Sequence, residues 1–296
     1  TFDADVDVQS FEVTIRLLGG LLSAHLLDGD PRFLRLAEDL GRRLLPVFES
    51  PTGMPYRYVN LRTGRTRDAV NNPAEIGTSL VEFGTLSRLT GDPVFYEKSK
   101  RALVEVSRRA SAIGLVGTTI DVESGAWLDK TAHIDGMIDS YYEYLLKGWL
   151  LFGDEDCRRL WESGRDAVNR YLADETDRGL WYGQVDMENG RRVSTQFGAL
   201  TAFFPAVASL ISRSGNGQRV TGRIKPIFLP ARRMFLTTSA ADLATLPNAI
   251  IAISASSIST MDVRLISSRC MSIFPFIRRM ILSTVSGSLV GNPVLS

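Results

Sequence analysis

Histidine and cysteine are scarce in this 296-residue chain, with two of each. His25 and His133 have no partners at metal-ligand spacing and read as structural or surface residues. Cys157 and Cys270 lie far apart, which excludes a disulfide-rich scaffold and a cysteine-based zinc site. No Gly-rich phosphate loop, Gly-x-Ser-x-Gly elbow or Asn-x-Ser/Thr acceptor is present. Charge of one sign is not in excess either. Thirty-four Lys and Arg against 33 Asp and Glu leave +1, so nothing pulls the chain toward nucleic acid. With 44% apolar and 23% charged residues, the chain has the composition of a globular protein of one or two domains. It starts at Thr1 rather than Met, so the natural N-terminus and any signal peptide are expected upstream, and secretion stays open.

The even balance conceals a split. Residues 1–212 carry 24 basic and 31 acidic side chains, whereas residues 213–296 carry 10 basic and 2 acidic, Asp242 and Asp262. The second stretch has no Glu, Trp, Tyr or His and is crowded with Ser and Ile. A boundary therefore falls between a domain over 1–211 and a basic, Ser/Ile-rich tail over 212–296. Leu243–Met261 is uncharged and long enough for a membrane span, but Pro247, Asn248 and several Ser argue against one. A basic anion-binding arm is a second reading. The abrupt shift fits a tail from another reading frame or an unspliced intron best, and such a tail is expected to be disordered or poorly packed.

The first part repeats. Leu27-Asp-Gly29-Asp30-Pro31 returns as Leu89-Thr-Gly91-Asp92-Pro93 and as Leu151-Phe-Gly153-Asp154-Glu155, with the glycines 62 residues apart. Glycine suits the left-handed position that ends a helix, Asp caps the next, and Pro fits its first turn. Each motif thus joins two antiparallel helices. The upstream helices, Phe11–Leu27, Ala74–Leu89 and Met137–Phe152, are apolar. The downstream ones, Arg32–Phe48, Val94–Ile113 and Cys157–Leu172, are amphipathic and charged. Between them lie β-like stretches: Tyr56–Asn60 with Thr63-Gly64, Thr118–Val122 with Ser124-Gly125, and Trp181–Met187 with Asn189-Gly190. The pattern predicts an all-α toroid of helical hairpins, about four of them here, with a fourth inner helix at Gln196–Leu210 and its turn near Gly215-Asn216.

Acidic residues interrupt the apolar helices: Glu12, Glu82, Asp139 and Glu143. Buried carboxylates are costly unless paired, so their recurrence predicts an acidic pocket at one end of the ring, suited to general acid/base work on a polyol. Plainer roles compete. Glu12 with Arg16, and Glu143 with Lys147, are spaced for helix-stabilising pairs. Glu75, three residues after Asn72, is spaced for an N-terminal cap. Tyr141, Tyr142 and Tyr144 read as wall and core before sugar platforms.

Several blocks together resemble glycoside hydrolase family 47, the class I α-1,2-mannosidases, in its ER degradation-enhancing mannosidase-like branch. They are Phe11-Glu-Val-Thr-Ile-Arg-Leu-Leu-Gly-Gly-Leu-Leu-Ser-Ala24, Gly53-Met-Pro-Tyr-Arg-Tyr-Val-Asn-Leu61, Leu80-Val-Glu-Phe-Gly-Thr-Leu-Ser-Arg-Leu-Thr-Gly91, Asp139-Ser-Tyr-Tyr-Glu-Tyr-Leu-Leu-Lys147 and Phe203-Phe-Pro205. The match runs over about residues 5–210. It implies an (αα)7 barrel, incomplete here, that removes terminal α-1,2-linked mannose from high-mannose N-glycans with inversion and with calcium bound. By the same resemblance Glu12 is the general acid and Asp139 a second catalytic carboxylate, while Arg16, Glu75, Glu82 and Glu143 line the substrate pocket. Inversion needs the carboxyl pair about 6.5–9.5 Å apart to admit water. The expected partner is a high-mannose glycan or glycoprotein, with neither nucleic acid nor membrane. The expected setting is the endoplasmic reticulum or secretory pathway in a eukaryote, or export in a bacterium.

Departures from the family pattern are specific. The Arg-Pro-Glu-x-x-Glu-Ser block that carries the family's base, and the Thr that holds calcium, have no counterpart. Met137 stands where some members place an Arg, and Ala199 where some have a His. Three functions follow: a mannosidase or remnant of one, a mannosidase-like lectin that binds without turnover, and a helical scaffold with no sugar site. Glu12 and Asp139 favour enzyme ancestry. The missing base and calcium Thr predict little or no hydrolysis by these 296 residues.

Overall fold

The computed structural model describes residues 1–177, 179–196, 198–205 and 207–208. The tail from 212, its uncharged stretch and the turn expected near Gly215 lie outside the described residues.

Strand β1 (Asp7–Gln9) leads into one continuous helix over Ser10–Asp28. It comprises α1 (Ser10–Val13), a π-helical stretch over Thr14–Leu18, and α2 (Gly19–Asp28). This helix is long and apolar enough to cross a membrane by length and composition, yet here it packs on neighbouring helices. Its hairpin partner is α3 (Pro31–Leu44), which tightens to a 3₁₀ turn at Leu45–Phe48. Strands β2 (Tyr58–Asn60), β3 (Thr66–Arg67) and β4 (Val70–Asn71) follow. The second repeat holds α4 (Pro73–Gly77), α5 (Leu80–Thr90), α6 (Val94–Arg108), β5 (Thr119–Asp121) and β6 (Trp127–Asp129). The third holds β7 (Thr131–Ala132), α7 (Asp139–Phe152), α8 (Glu155–Tyr171), β8 (Ala173–Thr176), β9 (Gly179–Tyr182), β10 (Gln184–Asp186) and β11 (Arg192–Ser194).

The repeated Gly-Asp motif works as its chemistry requires. Gly29, Gly91 and Gly153 adopt φ of 75°, 77° and 69°, and each amide donates back to a carbonyl four residues earlier. Asp30 then accepts from Arg32 N, Asp92 from Val94 N, and Asp154 from Asp156 N and Cys157 N. Each cap contributes about 1 kcal/mol. The helices pair within repeats, α2 with α3, α5 with α6 and α7 with α8, and also between repeats, α2 with α5 and α5 with α7.

Small antiparallel sheets lock each repeat. The strand before an inner helix pairs with the hairpin after its outer helix, giving β1-β2-β3, β4-β5-β6 and β7-β10-β11. Val8 pairs with Val59, Val70 with Asp121 and Ala132 with Val185. The core runs on from one repeat to the next, as where Phe83 of α5 meets Phe48 at 5.6 Å and Phe95 at 6.0 Å.

The helical hairpins agree with the sequence expectation, while several boundaries differ. The second inner helix breaks at Thr78 and Ser79, and its outer helix ends at Arg108 rather than Ile113. Trp181–Met187 is two strands, since β9 pairs with β8 whereas β10 pairs with β7 and β11. Helical geometry expected from Gln196 starts only at the 3₁₀ turn Leu200–Ala202. Tyr141, Tyr142 and Tyr144 are buried core residues.

Candidate active site

All three inner helices depart from α geometry at one level. Repeat one has its π-helical stretch there, repeat two its break at Thr78–Ser79, and repeat three the start of α7 at Asp139. Met137, just before that start, holds a left-handed φ of 77°. The levels are matched by direct contacts between residues 62 apart. Thr78 Oγ1 donates to Ser140 Oγ at 2.8 Å, and Tyr144 OH donates to Glu82 Oε1 at 3.0 Å. π-Helical turns and broken helices leave backbone groups outside the regular ladder and are often found at functional sites.

Glu12, on α1, pairs with Arg16 in the π-helical stretch. The side chains are 39% and 54% exposed, so Glu12 is not the buried carboxylate that its apolar neighbours suggested. The turn that carries it leaves this face of the helix open. Among the described residues no hydrogen bond or ion pair joins these two to the other four candidates.

Glu75, on α4, has its amide capped by Asn72 Oδ1 at 3.0 Å. Its carboxylate does not reach back as the cap reading required. It takes a bidentate pair from Arg57, at 3.0 and 2.8 Å, and this pairing is worth more than one amide contact. Arg57 was missed in the sequence, although the alternation Tyr56-Arg57-Tyr58 sets it on the opposite face from the tyrosines. Glu75 lines a cleft with Ser10, Phe11 and Thr14 of the first repeat and Thr78 and Ser79 of the second. Ser79 Oγ is buried there without a partner.

Glu82 is only 3% exposed, and burial pushes its carboxyl up to about 7. The charge of Lys147 and the Tyr144 hydroxyl oppose that shift, while the charge of Glu143 adds to it. Glu143 is paired with Lys147 at 2.6 Å, and burial pushes it upward too. Glu82 Oε2 and Glu143 Oε2 are both buried without a hydrogen bond. Asp139 is half-buried and raised to about 6, chiefly by loss of water, with the charges of Glu143 and Asp135 adding to the shift. The structure thus brings Glu82, Asp139, Glu143, Tyr144 and Lys147 into one electrostatic cluster. Carboxyls that keep protons near neutral pH are suited to general acid/base chemistry.

Neither histidine is on this surface. His25 Nδ1 contacts Asp30 O at 3.1 Å, and His133 is buried beside Thr118. No three His, Cys, Asp or Glu side chains among the described residues converge as metal ligands.

The chain is similar to known proteins in sequence and in fold. The sequence model of glycosyl hydrolase family 47 matches residues 1–244, past the point where the composition changes. α-Mannosidase I MNS5 of Arabidopsis thaliana is 42% identical over 224 residues, 71% of this chain and 38% of that protein. ER degradation-enhancing α-mannosidase-like protein 2 of Homo sapiens is 42% identical over 232 residues, 74% of this chain and 39% of its own. Among solved structures, an α-1,2-mannosidase from Trichoderma reesei superposes with a TM-score of 0.63 at 27% identity, covering 72% of this chain and 48% of that one. A cellobiose 2-epimerase from Bacillus thermoamylovorans, with a TM-score of 0.50 at 13% identity, covers 60% of this chain and 48% of its own and shares the fold alone. The chain spans about two fifths of the length of the curated relatives it matches.

Proposed function

Because the chain belongs to glycosyl hydrolase family 47, whose α/α barrel it shares in part, we propose that it serves the removal of terminal α-1,2-linked mannose from high-mannose N-glycans. The observation that carries this reading is the cluster of acidic side chains on successive inner helices, Glu82 with Tyr144 at 3.0 Å and Glu143 with Lys147 at 2.6 Å, where burial raises Glu82 to about 7 and Asp139 to about 6. Glu12 is the general acid for the glycosidic oxygen. It must carry a proton when sugar is bound, so the glycan has to draw Arg16 away from it. Asp139 is the second catalytic carboxylate, and Arg16, Glu75, Glu82 and Glu143 bind sugar hydroxyls. Calcium is the family's expectation, and no step is assigned to it. The relatives named for ER degradation support a place in glycoprotein handling in the endoplasmic reticulum.

A second reading is binding without turnover. The 296 residues include no Arg-Pro-Glu-x-x-Glu-Ser block, so they bring an acid and a pocket without the family's base. Loss of a general base costs about 10²–10⁴ in rate. Titration of the purified chain with a high-mannose glycan, followed by assay of released mannose, tests both readings. Binding is expected, with release at least about 100-fold below that of a complete family member. Rapid release would overturn the binding-only reading, and absence of both binding and release would overturn the glycan assignment.

A further inference from the structure

His133 lies outside the proposed chemistry, yet its ring joins a sheet to the turn that delivers Asp139. It follows β7 and is 9% exposed. Thr118 Oγ1 donates its single proton to Thr131 O at 2.6 Å. The same oxygen lies 3.0 Å from His133 Nε2 and has only acceptor capacity left, so Nε2 must carry a hydrogen. Nδ1 is then a bare lone pair, and it accepts the Asp135 amide at 3.2 Å. A single neutral tautomer satisfies every contact.

What the bond holds is the start of α7. Asp135 O accepts from Ile138 N at 3.2 Å and from Asp139 N at 3.1 Å, while Asp135 Oδ1 accepts from Gly136 N at 2.9 Å. Within this turn the left-handed Met137 offers its carbonyl to Ala74 N at 2.8 Å, next to Glu75. The turn therefore ties two inner helices together at the level of the candidate site.

We propose that His133 is a positioning residue for Asp139: neutral Nδ1 holds the Asp135–Ile138 turn closed, and protonation of that nitrogen sets donor against donor and releases the turn. The inference rests on the reading of Asp139 only for its consequence in catalysis. The charged groups whose field reaches the ring are Asp135 in the turn and Asp129 at the end of β6, both favouring protonation. Lys130 is engaged by Glu188 at 2.9 Å. Burial outweighs the carboxylates and holds the imidazole below its ordinary 6.5, so the neutral form persists into mild acid.

With only two histidines, ring-nitrogen NMR on the full chain reads the tautomer directly. The expected result is hydrogen on Nε2 at neutral pH. Amide exchange is then followed as pH falls, corrected for intrinsic rates. As His133 titrates, the Asp135, Ile138 and Asp139 amides should lose roughly tenfold protection while Leu145 within α7 keeps its own. His133→Asn retains an acceptor near Nδ1 and should keep that protection with no pH dependence. Hydrogen on Nδ1, pH-independent protection in the wild type, or equal loss throughout α7 would overturn the proposal. If His133→Asn does not fold, the wild-type tautomer and exchange profile decide alone. If Asp139→Asn leaves glycan turnover and binding unchanged, the catalytic reading fails while the exchange result stands.

Discussion

Glu82 is a carboxyl whose environment contradicts its ordinary chemistry. One oxygen takes the Tyr144 hydroxyl and the other is buried without a partner. Its carboxyl stays protonated up to about 7 in the folded chain, against 4.5 without burial. Between those values the native state binds more protons than the unfolded one, so its contribution to stability falls as pH rises from 4.5 through 7. Glu82→Gln keeps an acceptor for Tyr144 and removes the ionisation. The variant should be about 3 kcal/mol more stable than the parent at pH 8 and equal to it near pH 4. Urea unfolding at the two pH values checks this, and an equal effect at both would show that packing rather than charge governs the site. Asp139 follows the same sign over a lower range, from 3.8 to about 6. Both shifts come mainly from loss of water, which the run of Leu, Val and Phe around Glu82 already implied. That Glu12 is half-exposed was not legible, since Phe11, Val13 and Ile15 do not tell which side of a helix a neighbouring repeat will cover.

At the scale of elements, the hairpin turn is the most legible feature because three chemical requirements coincide in four residues. Its three copies are not equally stabilising. Asp30 caps α3 and pairs with exposed Arg32 at the surface. Asp154 caps α8 through two amides and also holds the Tyr96 hydroxyl and Lys100, the latter at 2.6 Å. Asp30→Ala should therefore cost about 1 kcal/mol and Asp154→Ala about 3 kcal/mol, because the second leaves the partly buried Tyr96 hydroxyl unmatched and takes one of two carboxylates from Lys100, which keeps Asp156 at 2.9 Å. Thermal unfolding of the two variants measures the difference, and equal losses would reduce Asp154 to a cap alone. Other features were hidden for a physical reason. One extra residue per turn at Thr14–Leu18 barely alters a 3.6 period, so the π-helical stretch reads as ordinary helix. The β8–β9 hairpin was missed because Ala173-Asp-Glu-Thr176 has no apolar alternation and is held by its backbone register with Gly179–Tyr182. Gly148 of α7 lets α8 and α5 approach closely, since a Cβ there would lie 2.8 Å from both Cys157 Sγ and Leu80 Cδ2.

Across the whole described region, stability passes sideways from repeat to repeat as much as along each hairpin. No single inner helix could bury Glu82, Tyr144, Thr78 and Ser140. They are buried because equivalent positions of adjacent repeats meet, and the meeting pairs are 62 residues apart. That number is the repeat length in the sequence, so the period fixes which side chains touch across the ring. Such contacts make each repeat depend on its neighbour, as in other stacked arrays. Double-mutant cycles separate this coupling from the cost of each substitution. The cycle of Thr78→Val with Ser140→Ala should show an interaction of about 1 kcal/mol, because the hydrogen bond is buried and each single change orphans its partner. Arg158 and Glu162, at 3.2 Å on an exposed face of α8, should couple by less than about 0.5 kcal/mol. If the buried pair couples no more strongly than the surface pair, the repeats are held by apolar packing alone. If it does, the acidic level of the inner helices is a specified interface, and a change in one repeat should move the carboxyls of the next.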